Sequence, residues 1–332
     1  ECSPMGFRHP QVESITTWEI DERRKERAKA PVHAINLRVL RLLDDDRDPT
    51  QLLRANTNLE ALWIPYMAFT VAYEPGWVAK LSHLHLHNVI DDGNVYRLEL
   101  PQLVYLRLNM HLKWQQIRYL YVYPLVISMP NVTTVYIDGD IYKEYLASMN
   151  TMILDARHTI VNLLLGSPEC ARFVWEKLVE FPRLETIGIY STTFWKRMWS
   201  QVSAYPLPSS SSLSLILLGI DSHSRSSKWG LCTMIGVHLI EMVSRPGKWV
   251  GKVVVPFIWE EMEPLWVKAY HAKQHSDEAL PCCWPCLEHM DSHSIRIEDR
   301  NGVGLREGEG AAFSSRMRTF THKVGAWSDD EA

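Results

Sequence analysis

Apolar residues return along this chain in one spacing, a first apolar position followed three and five residues later by two more. The sets are Leu37, Leu40, Leu42; Leu59, Leu62, Ile64; Leu81, Leu84, Leu86; Leu103, Leu106, Leu108; Val132, Val135, Ile137; Ile160, Leu163, Leu165; Leu184, Ile187, Ile189; and Leu213, Ile216, Leu218. Val250, Val253 and Val255 form a weaker ninth. Start-to-start intervals are 22, 22, 22, 29, 28, 24, 29 and 37 residues, so the first four units are in strict phase and later ones carry longer connections. The last two members of each set are two apart, the strand period, so both point to one face while the residue between them points to the other. One such strand cannot bury its apolar face alone, but stacked neighbours can, and a fixed period is the sign of that stacking.

Between the later sets lie segments with helical character: 141–156, 169–180, 193–204 and 231–244. In the last, Ile235, Leu239 and Met242 fall at intervals of four and three, one stripe of a helix. The first units are too short for a strand and a long helix, so extended or 3₁₀ connections are expected there. Pro101, Pro130 and Pro182 each stand two residues ahead of a set, where proline suits the start of a strand.

These residues make the chain resemble a leucine-rich repeat protein. The resemblance covers about 37–259 and implies an α/β leucine-rich repeat solenoid of about nine units, a curved parallel sheet with helices and irregular segments on its convex side. The family's polar ninth position is not kept; Asp45, Met67, Val89, His111, Asp140, Pro168, Thr192 and Asp221 stand there. Such degenerate spacing most resembles the repeat region of fungal F-box proteins, although residues 1–36 do not match an F-box. That segment is expected to be a linker with a charged helix over Trp18 to Ala30. The resemblance implies an interaction scaffold of the kind that recognises substrates for a ubiquitin ligase.

Composition narrows the functional classes. Thirty-five basic against 39 acidic side chains give a net charge of -4, without the excess of positive charge that phosphate neutralisation requires, so nucleic acid is not an expected partner. Six cysteines are too few for a disulfide framework and indicate a reducing, intracellular compartment, cytoplasmic or nuclear. No signal peptide or membrane span is expected; the uncharged stretch 119–137 is broken by Pro124 and Pro130. The chain starts without Met, as a fragment would. A monomer is expected.

Outward strand positions are the natural contact surface. The residues between the second and third apolar members are Arg41, Trp63, His85, Arg107, Tyr136, Leu164, Gly188 and Leu217, flanked by His83, Tyr105 and Thr134 on one side and by His87, Asn109, Asp138 and Tyr190 on the other. Arg, Trp and Tyr combine large contact area with a polar handle and are enriched at binding hot spots. A protein partner on the concave face is therefore expected at Arg41, Trp63, His83, His85, His87, Tyr105, Arg107, Tyr136 and Asp138. The three alternating histidines span about 13 Å at Cα, too far for all to ligate one ion.

An alternative reading is a zinc module in a Cys/His-rich segment, 260–300. His271, His275, Cys282, Cys283, Cys286, His289 and His293 place seven soft or borderline ligands in 23 residues, though their order matches no familiar finger. Chelator sensitivity would separate this reading from the first. No nucleophile elbow, phosphate loop or zinc-protease motif occurs, so no enzyme activity, no cofactor and no catalytic residue are expected. Residues 301–332, rich in Gly, Ser and charge, read as a disordered tail.

Overall fold

The computed structural model describes residues 17–20, 38–42, 53, 57–64, 67–68, 78–87, 89–90, 97–109, 126–138, 143–166, 173–174, 176–190, 213–218, 250–255, 258–261, 287–288, 291–292 and 295–328. In chain order the strands are β1 (Thr17–Ile20), β2 (Val39–Leu42), β3 (Ala61–Ile64), β4 (Met67–Ala68), β5 (His83–His87), β6 (Val89–Ile90), β7 (Arg97–Glu99), β8 (Tyr105–Asn109), β9 (Val126–Ser128) and β10 (Thr134–Asp138). They continue with β11 (Asn162–Leu165), β12 (Thr186–Tyr190), β13 (Leu213–Leu218), β14 (Val250–Val254) and β15 (Arg296–Glu298). Helix α1 is Lys143–Asp155 and helix α2 is Gly308–Ser328. The chain divides into two compact units, one over His9–Leu184 and one whose main body is Glu185–Ala332. The division falls inside the segment expected to be one repeat domain.

In the first unit the order β1-β2-β3-β5-β8-β10-β11 follows the chain, and the paired strands are parallel. Register puts Leu40, Leu62, Leu84, Leu106, Val135 and Leu163 in one line, as the spacing predicts. None of the six is more than 1% exposed. Burying one leucine contributes about 1.5–3 kcal/mol, so this line is a main source of the unit's stability.

The two residues between the first and second apolar members also have a physical role. Val104 and Tyr105 both donate their N–H to the Ser82 carbonyl, and Ser82 and His83 both donate to that of Glu60. The same doubling recurs at Arg38, Val104 and Thr133. One carbonyl thus accepts two successive N–H groups at each strand entry, so the chain bends there before it extends, and the first apolar side chain lies on the core side. Leu59, Leu81, Leu103, Val132 and Ile160 are accordingly all fully buried.

Smaller ladders keep the same intervals. β4 pairs with β6 through Met67 and Val89, 22 residues apart, and β7 pairs with β9 through Arg97 and Val126, 29 apart. β4, β6 and β7 are extended connections of the kind expected of the short units, and β9 repeats the form in the longer connection after Leu103. Helix α1 matches the first predicted helix; Met149, Met152 and Ile153 form its buried stripe, and Ala156 just past its end is buried too. Of 169–180, the described part is helical at 173–174 and 176 and ends in a 3₁₀ turn over Leu178–Glu180. The helices expected over 193–204 and 231–244 lie outside the described residues.

Several expectations are corrected. The prolines do not begin strands: Leu103, Val132 and Leu184 donate N–H to the carbonyls of Leu100, Met129 and Phe181, which puts Pro101, Pro130 and Pro182 second in a four-residue turn. There the ring's fixed φ is already the one the turn needs. The helix expected from Trp18 does not start there, because Trp18 and Ile20 belong to β1, with Trp18 opposite Leu40. Ile15, Trp18 and Ile20 repeat the apolar spacing 22 residues before Leu37, so the strict phase extends one unit further back.

The second unit orders its strands β12-β13-β14-β15, again in parallel. Ile187 faces Leu215 and not Ile216, a slip of one residue from the expected set. Because strand side chains alternate, that slip exchanges the faces. Leu213-Ser214-Leu215 has the core-polar-core alternation, with both leucines buried and Ser214 half-buried. The line continues through Val253 to Ile297, so β15 extends it into the segment expected to be only Cys/His-rich.

Residues 301–332 were expected to be disordered, yet α2 occupies most of them and buries Phe313 and Met317. Phe313 stacks on Trp259 with ring centroids 5.4 Å apart, and the Trp259 indole donates to the Val303 carbonyl at 3.0 Å. Between β15 and α2 the buried Asp299 carboxylate accepts the backbone N–H groups of Asn301 and Val303, each at 2.9 Å. Gly302 adopts φ +79° in that turn, and a Cβ on Gly310 would overlap the Gly304 carbonyl. The glycines are there for tight geometry, which composition alone reads as disorder. Among the described residues no helix is long and apolar enough to cross a membrane.

Candidate protein-docking face

Parallel register turns the expected contact residues of the first unit into rows. Arg41, Trp63, His85, Arg107, Tyr136 and Leu164 follow one another strand by strand, in the predicted order. His83, Tyr105, Thr134 and Asn162 form the row beside it, and His87, Asn109 and Asp138 form a third. Arg41, His87 and Asp138 are placed by backbone register alone. Neighbouring strands bring successive members of a row to about 4.8 Å.

The middle of this face is held by ring contacts. The Arg107 guanidinium lies 4.5 Å from the centre of the Tyr136 ring, within the range in which a cation is drawn to an aromatic face. On the next row His83 stacks on Tyr105, centroids 5.9 Å apart at 26°. The Ser82 hydroxyl donates to the Glu60 carbonyl at 2.9 Å and lies 2.9 Å from His83 Nδ1. A hydroxyl has one proton, so the His83 nitrogen donates in the second contact and carries the ring proton. Asn162 donates its amide N–H to the Thr134 hydroxyl at 3.1 Å.

Exposure falls along the central row. Trp63, His85 and Arg107 are half-buried, whereas Tyr136 is 2% exposed and Leu164 1%. The expected solvent-facing row is therefore corrected at its far end, where Tyr136 acts as the floor under Arg107. Burial pushes the Tyr105 phenol above its ordinary pKa, because the phenolate is the form that loses hydration; nearby Arg107 opposes the shift without cancelling it.

In the second unit the outward residues differ. Thr186, Ser214, Lys252 and Arg296 align in one row, with Gly188, Ile216, Val254 and Glu298 in the next. Leu217, expected in the contact row, is instead opposite Ile189, a residue of the expected apolar set. Glu298 lies 3.4 Å from Lys252 and 2.6 Å from Arg296, which also lies 3.5 Å from Glu307. Arg296 and Glu298 escaped sequence reasoning because β15 lacks a full apolar set; the signal available was the alternation of Ile295 and Ile297 around Arg296.

Elsewhere in that unit a polar cleft lies between Leu305–Arg306 and the Ser314, Ser315 and Arg318 side of α2. Its arginines face acids of their own chain: Arg306 binds Asp291 through Nε at 2.8 Å, and Arg318 binds Glu288 at 2.8 Å. Among the described residues no three His, Cys, Asp or Glu side chains gather as metal ligands would. His271, His275, Cys282, Cys283, Cys286, His289 and His293 all lie outside the described residues. The chain matches no protein-family model, no curated protein and no solved structure.

Proposed function

We propose that this chain is a non-enzymatic protein-interaction scaffold, a degenerate leucine-rich repeat solenoid that binds a protein partner on its concave face. In this reading it is a monomeric intracellular protein similar to the substrate-recognition part of F-box proteins, and coupling to a ubiquitin ligase would follow from that similarity. The observation that supports it is the row of Arg41, Trp63, His85 and Arg107 on consecutive parallel strands, with buried Tyr136 beneath Arg107. Large aromatic and guanidinium groups set side by side on a sheet make a rigid contact surface at little conformational cost.

A photoreactive phenylalanine analogue introduced at position 63, and separately at position 177, tests the reading. Lys177 is partly exposed and paired with Glu180 at 3.0 Å, away from the rows. Crosslinking of a defined protein at 63 and not at 177 is the expected result. Crosslinking at 177 alone would contradict the docking face.

A further inference from the structure

We infer that the partner segment received by this face is acidic, an inference that rests on the scaffold reading above. The outward positions of the first two rows on β3, β5, β8 and β10 hold one arginine, two histidines and three aromatics, with only Ala61 and Thr134 besides. No Asp or Glu stands at any of these eight positions, in a chain with more acidic than basic residues overall. The fixed charge of the patch is therefore positive, and a partner of the same sign would be repelled at short range.

Arg107 gives that charge a geometry. Its guanidinium sits over the Tyr136 ring, 4.5 Å from the centroid, so the floor beneath it is an aromatic face. A planar fork held in this way is suited to a carboxylate, which can accept two parallel N–H bonds, whereas a neutral amide returns less for the same desolvation. Half-buried surroundings strengthen the attraction by keeping the local dielectric below that of water. His83 and His85 lie on the adjacent strand, His85 directly opposite Arg107, and add positive charge when protonated. Trp63 and Tyr105, both half-buried, supply apolar contact for the peptide stem. Register also places two acids on these rows, Glu19 opposite Arg41 in the central row and Asp138 in the third, and they set the limits beyond which an acidic segment would meet its own sign.

Selection of random peptides displayed on phage against the full chain tests the inference, with parallel selections on Trp63→Ala, Arg107→Gln and Lys177→Ala. Melting temperature verifies that each variant is folded. The expected pool is enriched in Asp and Glu, is retained by Lys177→Ala, and is lost with Trp63→Ala. Synthetic members should bind Arg107→Gln about tenfold more weakly than wild type, and raised salt should weaken them further. A pool that depends on Trp63 but shows no acidic bias would overturn the acidic inference while leaving the docking face in place. A pool indifferent to Trp63, or none at all, would count against the docking face itself.

Discussion

Tyr105 and Tyr136 stand two strand positions from being equivalent, yet they have different physical roles. Tyr105 stacks on His83 and carries a phenol whose ionisation burial disfavours. Its folded pKa is above the unfolded value of about 10, so its contribution to stability is complete below about pH 10 and is lost as pH rises through the folded pKa. Melting temperatures measured from pH 8 to 11 should fall more steeply in wild type than in Tyr105→Phe, which has no phenol to titrate. Tyr136, 2% exposed, is part of the packed structure. Tyr136→Ala should cost about 3–5 kcal/mol in urea unfolding, as loss of a buried aromatic does, whereas half-buried Trp63→Ala should cost no more than about 2. The binding role of the row is therefore best probed at Trp63 and Arg107, where truncation leaves the core in place.

Single elements divide sharply into those that sequence reading captures and those it does not. Strands β2, β3, β5, β8, β10 and β11 were legible because their apolar sets recur at fixed intervals and each set repeats the same core alternation. Strand β1 was overlooked because the charges after Ile20 suggest a helix, although Ile15, Trp18 and Ile20 carry the full spacing. At β13 the run Leu213-Ser214-Leu215-Ile216-Leu217-Leu218 offers apolar residues in both phases. Spacing alone cannot choose between them; pairing with β12 and β14 does, with an irregularity between Leu213 and Ser214. Leu215→Asp should therefore abolish the cooperative transition of the second unit by burying an unpaired carboxylate, at a cost of several kcal/mol. Ser214→Asp should shift it by about 1 kcal/mol or less, since its side chain lies on the outward row. Comparable effects from the two substitutions, read by circular dichroism melting, would favour the unslipped register.

Across the molecule, the docking rows were readable from sequence as far as Arg107 because one period governs the strands that carry them. Their exposure was not readable, since the burial of Tyr136 and Leu164 depends on what covers their strands, which spacing does not encode. The C-terminal region was read by composition, and composition misled: its glycines sit in a tight turn and against a carbonyl, while Phe313 and Met317 face the core. Phe313→Ala should lower the stability of the second unit by about 3–5 kcal/mol through loss of its contact with Trp259. Guanidinium titration would detect this, and a change below about 0.5 kcal/mol would mean that α2 is not part of the core.

The most direct test of the whole account is isothermal titration of the crosslinked partner against wild type, the double variant Trp63→Ala/Arg107→Ala and the control Lys177→Ala. The docking face predicts that the double variant loses about 2–5 kcal/mol of binding free energy with its fold intact, and that the control binds as wild type does. Full affinity in the double variant, with loss in the control, would contradict it.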